Sequence, residues 1–338
     1  MTTLTARAQE TPFVPPLGYP PAFAPGINPL TGLPLDESRT FSFPPLIVKV
    51  SNAPDVVRPQ AGIGMADVVF EHYAEGGLTR FSAIYYSELP ARIGSVRSAR
   101  LIDNELTPMF GALLAYSGAS PGTEAVLSAA DYAPRLFSGY FLGAPFFVRD
   151  FAIAAPNNLF IDPAQIWAAA QADGYTSAPD LRGWVFAFDP PPGESGPAAV
   201  LDVQYTDNRV SWAYDEALAL YRRSDDGLPH SDALTGMQVA ASTVVVLYAD
   251  HLPTTIEEGV WNGQPYYGID IVLSGEGQAI ALRNGRQYPL TWRRAEREGL
   301  LTLWTADGQP FALKPGKTWF QVFPPPAVWQ GGEFVSIQ

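Results

Sequence analysis

Cysteine is absent from all 338 residues. That excludes disulfide frameworks, cysteine-ligated zinc or iron–sulfur sites and thiol nucleophiles. Histidine is nearly absent too: His72, His230 and His251 are the whole supply. No Gly-x-Ser-x-Gly elbow accompanies them, so a serine triad has no motif support. Positive charge is the minority sign, and the net charge of −13 repels phosphate backbones, so no nucleic-acid partner is expected. Lysine is confined to Lys49, Lys314 and Lys317, against eighteen arginines. Arginine favours planar, bidentate capture of carboxylate or phosphate, although a GC-rich genome gives the same bias. No apolar run reaches the roughly 18 residues that cross a bilayer. Met1–Glu10 holds one arginine and no apolar centre, which is not the pattern of a signal peptide; export would need a targeting segment beyond this sequence.

What is present is material for packed cores. Hydrophobic residues make up 47% of the chain, aromatic residues 12% and charged residues only 16%, a balance that disordered chains lack. Most of the rings are expected to fill β-rich interiors.

The 33 prolines punctuate the chain. Residues 1–45 read as a Pro-rich leader, extended or loosely docked, with a turn at Asn28–Pro34 marked by Pro29 and Gly32. Residues 46–188 alternate strand and helix signals. Strands are predicted at Leu46–Val50, across Ala66–Tyr73 and from Thr79 to Tyr86, the last entered through Gly76–Gly77. A helix is predicted over Ser98–Thr107, ended near Pro108, before a short strand in Gly111–Gly118. Ser120 with Pro121, and Asp162 with Pro163, mark two further helix starts, the second helix stopping at Gly174. Residues 189–199 form a Pro/Gly linker. Residues 200–325 give short strands joined by turns, of which Asn284–Gly285 and Asp307–Gly308 are the clearest hairpin signals; residues 326–338 are left as a tail. Gly275–Gly277 lies between strands and reads as a hairpin rather than a phosphate loop. The fold class is α+β: an N-terminal layered α/β domain with a mixed sheet, then a mainly antiparallel β C-terminal domain.

Several short motifs recur in one order: NPLTGLP, RPQAGIGMADVVFEHYAEGGLTRF, IGSVRSAR, NNLF and LKPGKTWFQV. In these the chain resembles the bacterial YerB-like family over about residues 28–325. The resemblance implies an N-terminal and a C-terminal module of unknown function, and an extracytoplasmic protein, membrane-anchored or secreted. The family's anchor is a cysteine behind a signal peptide, and neither stands here, so membrane association would depend on a missing N-terminal anchor. The family also tends to read Pro-His-Asn-Leu where this chain has Pro156-Asn157-Asn158-Leu159, so a role resting on that imidazole does not carry over.

The stretch from Arg92 to Glu105 is the most informative for chemistry. On a helix from Ser98, Arg97 and Arg100 would share a face with Asn104. They would sit at the helix end that disfavours cations by roughly 0.3–1 kcal/mol each. A bound anion would reverse that, since charge-assisted hydrogen bonds contribute about 1.5–3 kcal/mol. If neighbouring strands are parallel, the start at Ser120 opens onto the same sheet edge. The candidate ligand-binding set is therefore Arg92, Ser95, Arg97, Ser98, Arg100, Ser117, Ser120, Arg149, Asn157 and Asn158, for an anionic or glycan ligand of the cell envelope. The bland alternative pairs these arginines with Asp67, Glu71, Asp103 or Asp150. No catalytic residue is assigned and no cofactor or metal is expected; His230 and Asp232 have ligand spacing but lack a third partner. The rival readings are a phosphotransferase acting on lipid-linked pyrophosphate, with Mg²⁺ on Asp67 or Asp103, and a structural or protein-interaction module.

Overall fold

A computed structural model describes residues 23–35, 43–193, 195–329 and 332–338; most of the Pro-rich leader lies outside the described residues. The Asn28–Pro34 turn is present: Asn28 N–H donates to Leu33 O over 2.8 Å, and Gly32 takes φ 66°.

An unbroken Leu-Ile-Val run gives β1 (Leu46–Ser51), buried along its whole length as an interior strand must be. β2 (Val68–Ala74) and β3 (Leu78–Tyr85) form a hairpin across Gly76 and Gly77, which both take positive φ. Next come β4 (Ile93–Gly94), α1 (Asp103–Met109), β5 (Leu113–Tyr116), α2 (Pro121–Ser128) and β6 (Leu136–Ser138). β7 (Phe147–Arg149), β8 (Leu159–Ile161), α3 (Pro163–Ala172) and β9 (Val185–Phe186) follow. α2 and α3 start where Pro at the first turn predicts: Ser120 Oγ accepts from Thr123 N, and the Asp162 carboxylate from Ala164 N.

The later part begins with β10 (Gly196–Pro197), β11 (Val200–Gln204), β12 (Arg209–Asp215), β13 (Leu220–Asp225), β14 (Leu228–Pro229) and β15 (Ala240–Ala241). It continues with β16 (Thr243–Tyr248), β17 (His251–Trp261), β18 (Gln264–Ile271), β19 (Gly275–Arg283) and β20 (Arg286–Arg294). β21 (Thr302–Trp304), β22 (Ala312–Leu313), β23 (Thr318–Phe323) and β24 (Phe334–Ile337) complete it. The β19–β20 turn is Asn284–Gly285, at φ 54° and 70°, as a two-residue hairpin of this type requires. Gly275 and Gly277 do not turn. They lie within β19, paired with Arg294 and Trp292, and the bare Cα of Gly277 lets the Trp292 indole pack against it.

The chain is α+β. Its main sheet has eleven strands in the order β10-β20-β19-β16-β23-β2-β3-β1-β5-β6, with β21 added on β20. β2 runs parallel to β23, β23 to β16, and β1 to β5 and β6. The sheet is therefore mixed, and strands from both ends of the sequence meet at its centre. A six-stranded antiparallel sheet, β14-β13-β12-β11-β24 with β15 on β13, forms a second layer. The last residues close its edge, β24 pairing with β11.

Two cores flank the main sheet. One holds Leu106 and Met109 of α1 and Leu127 of α2 with Phe70 and Phe320, which stack 4.4 Å apart. The other holds Trp212 and Tyr221 of the smaller sheet and Ile166 of α3.

The helix predicted over Ser98–Thr107 is corrected. It begins only at Asp103 and runs through Pro108. The backbone before it is drawn into the sheet edge: Arg97 N–H donates to Lys49 O (2.9 Å), Ser117 N–H to Arg97 O (3.0 Å) and Ala99 N–H to Gly118 O (3.0 Å). Tertiary pairing takes these groups before a helix can.

Candidate functional site

Seven strands, β1, β2, β5, β6, β16, β20 and β23, point their carboxyl ends to one edge of the main sheet. In open α/β sheets that edge is where ligands bind. Residues 95–99 cross this edge between the ends of β1 and β5. Arg80, near the start of the opposing strand β3, comes up beside them, and its Nη1 donates to Ser98 O over 2.9 Å. The long hairpin β17–β18 leaves the end of β16 and lies against α2, with Ile256 over Gly122 and Thr123 Oγ1 donating to Glu258.

Beneath this edge Lys49 is fully buried. Its ammonium lies 2.9 Å from Asp103 Oδ1, 2.5 Å from Ser82 Oγ and 2.9 Å from His72 Nε2. All three ammonium protons have acceptors, yet burial, partly offset by Asp103, pushes its pKa down to about 8. Burial and the Lys49 charge hold His72 well below the usual histidine range. The neutral ring then donates from Nδ1 to Tyr73 O and accepts from Lys49 at Nε2.

Above that layer the arginines differ from one another. Arg100 is neutralised: its Nε donates to Glu75, its Nη1 lies 3.5 Å from Glu258 Oε2, and its backbone N–H donates to Asp103 Oδ2. Arg80 and Arg97 have no carboxylate at ion-pair distance among the described residues. The Nε of Arg97 is buried without an acceptor. Burial and then the Arg100 charge lower the pKa of both, that of Arg80 well below the usual value, and Tyr266 on β18 lies within electrostatic reach of Arg97. Two cations held close together with no carboxylate at ion-pair distance are costly.

The helix-terminus component of the expected site does not hold. The N–H groups of Asp103, Asn104 and Glu105 already donate to the carbonyls of Arg100, Leu101 and Ile102, so they are not free to receive an anion.

The ten candidate residues divide into two groups. Arg97, Ser98, Arg100, Ser117 and Ser120 gather at the sheet edge. Arg92, Ser95, Arg149, Asn157 and Asn158 lie along the small sheet β4-β8-β7. There Ser95 Oγ donates to Asn157 O, Arg149 Nη1 to Asn158 Oδ1 (2.7 Å), and Arg92 Nη1 meets Asp150 Oδ2 (3.2 Å). The internal pairing considered for these arginines thus holds for Arg92 with Asp150, whereas Arg100 takes Glu75 and Glu258.

The proposed Mg²⁺ ligands are otherwise engaged. Asp67 is buried and accepts from Asn28 Nδ2, Tyr86 N, Ser87 N and Ser87 Oγ. Asp103 is buried and holds Lys49, Ser82 and the Arg100 amide. His230 has both ring nitrogens occupied, 2.7 Å from Arg223 Nη1 and 2.6 Å from Gln60 Oε1, while Asp232 accepts from the amides of Gly64, Leu234 and Thr235. Among the described residues no cluster of three potential ligands could hold a metal ion, and no helix is long and apolar enough to cross a membrane.

Family profiles match residues 30–176, as the N-terminal domain of a protein of unknown function (DUF3048), and residues 201–320, as its C-terminal domain. The chain belongs to the DUF3048 family. A Bacillus subtilis strain 168 protein named "putative lipoprotein YerB" is 32% identical over 301 residues, covering 88% of this chain and 86% of the relative. The crystal structure of YerB protein from Bacillus subtilis superposes with a TM-score of 0.73 at 28% identity, covering 92% of this chain and 99% of that one.

In this DUF3048 chain the sequence reading missed Arg80, Glu258, Tyr266 and the strand β17. Arg80 carried a usable signal: the one charge within the buried strand β3. β17 carried little, because Pro253 and two adjacent glutamates interrupt its apolar pattern.

Proposed function

We propose that this DUF3048 chain is an extracytoplasmic binding protein that takes an anionic ligand, of phosphate or sugar-phosphate type, at Arg97 and Arg80. One observation supports the reading: Arg97 is half-buried at the carboxyl edge of the main sheet, and among the described residues its Nε has no acceptor and its guanidinium no carboxylate at ion-pair distance. Arg80 behind it reinforces the demand for negative charge, and Tyr266 of the hairpin offers a hydroxyl. The extracytoplasmic setting rests on the lipoprotein name of the 32% identical relative.

Titration calorimetry with inorganic pyrophosphate and with phosphorylated glycans tests this. The expected result is binding that weakens as salt rises and that falls about 10–100-fold in Arg97→Ala, the loss of one charge-assisted contact. No heat from either probe, together with a silent Arg97→Ala, would overturn it.

A further inference from the structure

Beside the small sheet β4-β8-β7 lies an open groove of about 430 Å³, lined by Arg92, Val148, Arg149, Asp150, Phe151, Phe160 and Asp162 among others. That volume falls within the range of small-molecule pockets, about 300–1,000 Å³. Its lining has two properties that together select a ligand. The first is charge balance. Arg92 and Arg149 face Asp150 and Asp162, two cations against two anions, so the groove asks for no net charge, unlike the Arg97 edge. The second is alternation of rings with polar groups. Phe151 is 87% exposed, a large ring that the fold does not use. Phe160 lies 4.6 Å beneath the Arg92 guanidinium.

Hydrogen-bonding capacity remains for a visitor. Asp162 Oδ1 is used by Ala164 N and Asp150 Oδ1 by Ala152 N. Arg149 gives one donor to Asn158, which leaves others of its five. An acyl chain would desolvate four charged groups without compensating them. A free anion would meet two carboxylates. A neutral pyranose suits both features: its C–H face lies on a ring, and each hydroxyl, being donor and acceptor at once, bridges a guanidinium and a carboxylate.

We infer that this groove is a binding site for neutral hexopyranose oligosaccharides, with Phe151 as the stacking platform and Arg92, Arg149, Asp150 and Asp162 as the hydroxyl-binding groups. It uses different side chains from the anion site, and Arg97 lies five positions after Arg92, at most about 18 Å of extended chain. One glycan bearing a phosphate could span both.

The test is calorimetry on the full chain with four soluble, uncharged probes: β-1,4-linked N-acetylglucosamine hexamer, β-1,4-glucose hexamer, α-1,4-glucose hexamer and β-1,4-mannose hexamer. At least one binds, losing about tenfold in Phe151→Ala and in Asp150→Asn while Phe151→Tyr retains it; Arg97→Ala leaves it unchanged. Silence from all four probes overturns the inference, as does a Phe151→Ala variant that binds normally. So does a Phe151→Ala effect confined to adsorption on phosphatidylcholine vesicles, which would mark the ring as a membrane contact. Pyrophosphate binding in the same samples reports the Arg97 site separately, so either reading can fail alone.

Discussion

Two clusters of buried charge sit on the main sheet, and they are finished differently. Between the sheets, Glu71 is fully buried and accepts from Arg223 Nη2 at 2.8 and 3.0 Å, Trp319 Nε1, Gln321 Nε2, Thr79 Oγ1 and Asn52 Nδ2. Arg223 also meets Asp225 Oδ2 at 2.7 Å, lies over the rings of Phe81 and Trp319, and donates to His230. At the carboxyl edge, Arg97 and Arg80 have no such company. Each cluster contains an arginine whose Nε lacks an acceptor, Arg223 and Arg97, so one orphan donor does not separate them. The decisive difference is charge: among the described residues Arg223 has two carboxylates and Arg97 has none at ion-pair distance. A completed ionic layer locks two sheets together, whereas an incomplete one leaves positive charge uncompensated.

The comparison breaks most readily at Glu71. Glu71→Ala strands the buried Arg223 charge and is expected to lower unfolding free energy by about 3–5 kcal/mol, read from denaturant melts. At the other cluster, Arg97→Ala should leave stability within about 0.5 kcal/mol or raise it, while removing about 1.5–3 kcal/mol of pyrophosphate binding. Equal destabilisation by both variants would erase the distinction.

Acid sharpens it next. Burial, first among its causes, depresses the pKa of His72, His230 and His251. The unfolded chain takes up protons near pH 6.5 that the folded chain refuses. Their contribution is present above that pH and lost as pH falls through 6.5 toward the depressed values, so Tm should drop between pH 7 and pH 5. His230 binds Arg223 and His72 binds Lys49, which puts both charged layers under this strain. The smallest effect is Ser120→Ala, which removes the α2 cap for about 1 kcal/mol without touching the guanidinium groups.

Local signals explain what could be read from the sequence. Ser120-Pro121, Asp162-Pro163 and Asn284-Gly285 each specify their own backbone within a few residues, and all three stand where the residue chemistry puts them. The helix over Ser98–Thr107 failed because its first residues have a competing, non-local use: the Arg80 guanidinium takes Ser98 O and Gly118 O takes Ala99 N–H, partners that no short window of sequence contains. The same holds for the site. Arg97 and Arg100 look alike in sequence, and only folding brings Glu75 and Glu258 to one of them. Likewise Arg92 and Arg149 separate from Arg97 because β4 pairs with β8, a contact across some sixty-five residues.

The parallel pairing of β2 with β23 joins residues about 250 positions apart in register, Val68 with Thr318 through Glu71 with Gln321. Both family-matched regions thus own half of a single seam. Severed at the Pro/Gly stretch between them, each fragment would present a raw, apolar strand edge where the seam had been. These two modules should therefore be inherited as an obligate pair, and a nascent chain must wait for almost its last strand before its centre can close.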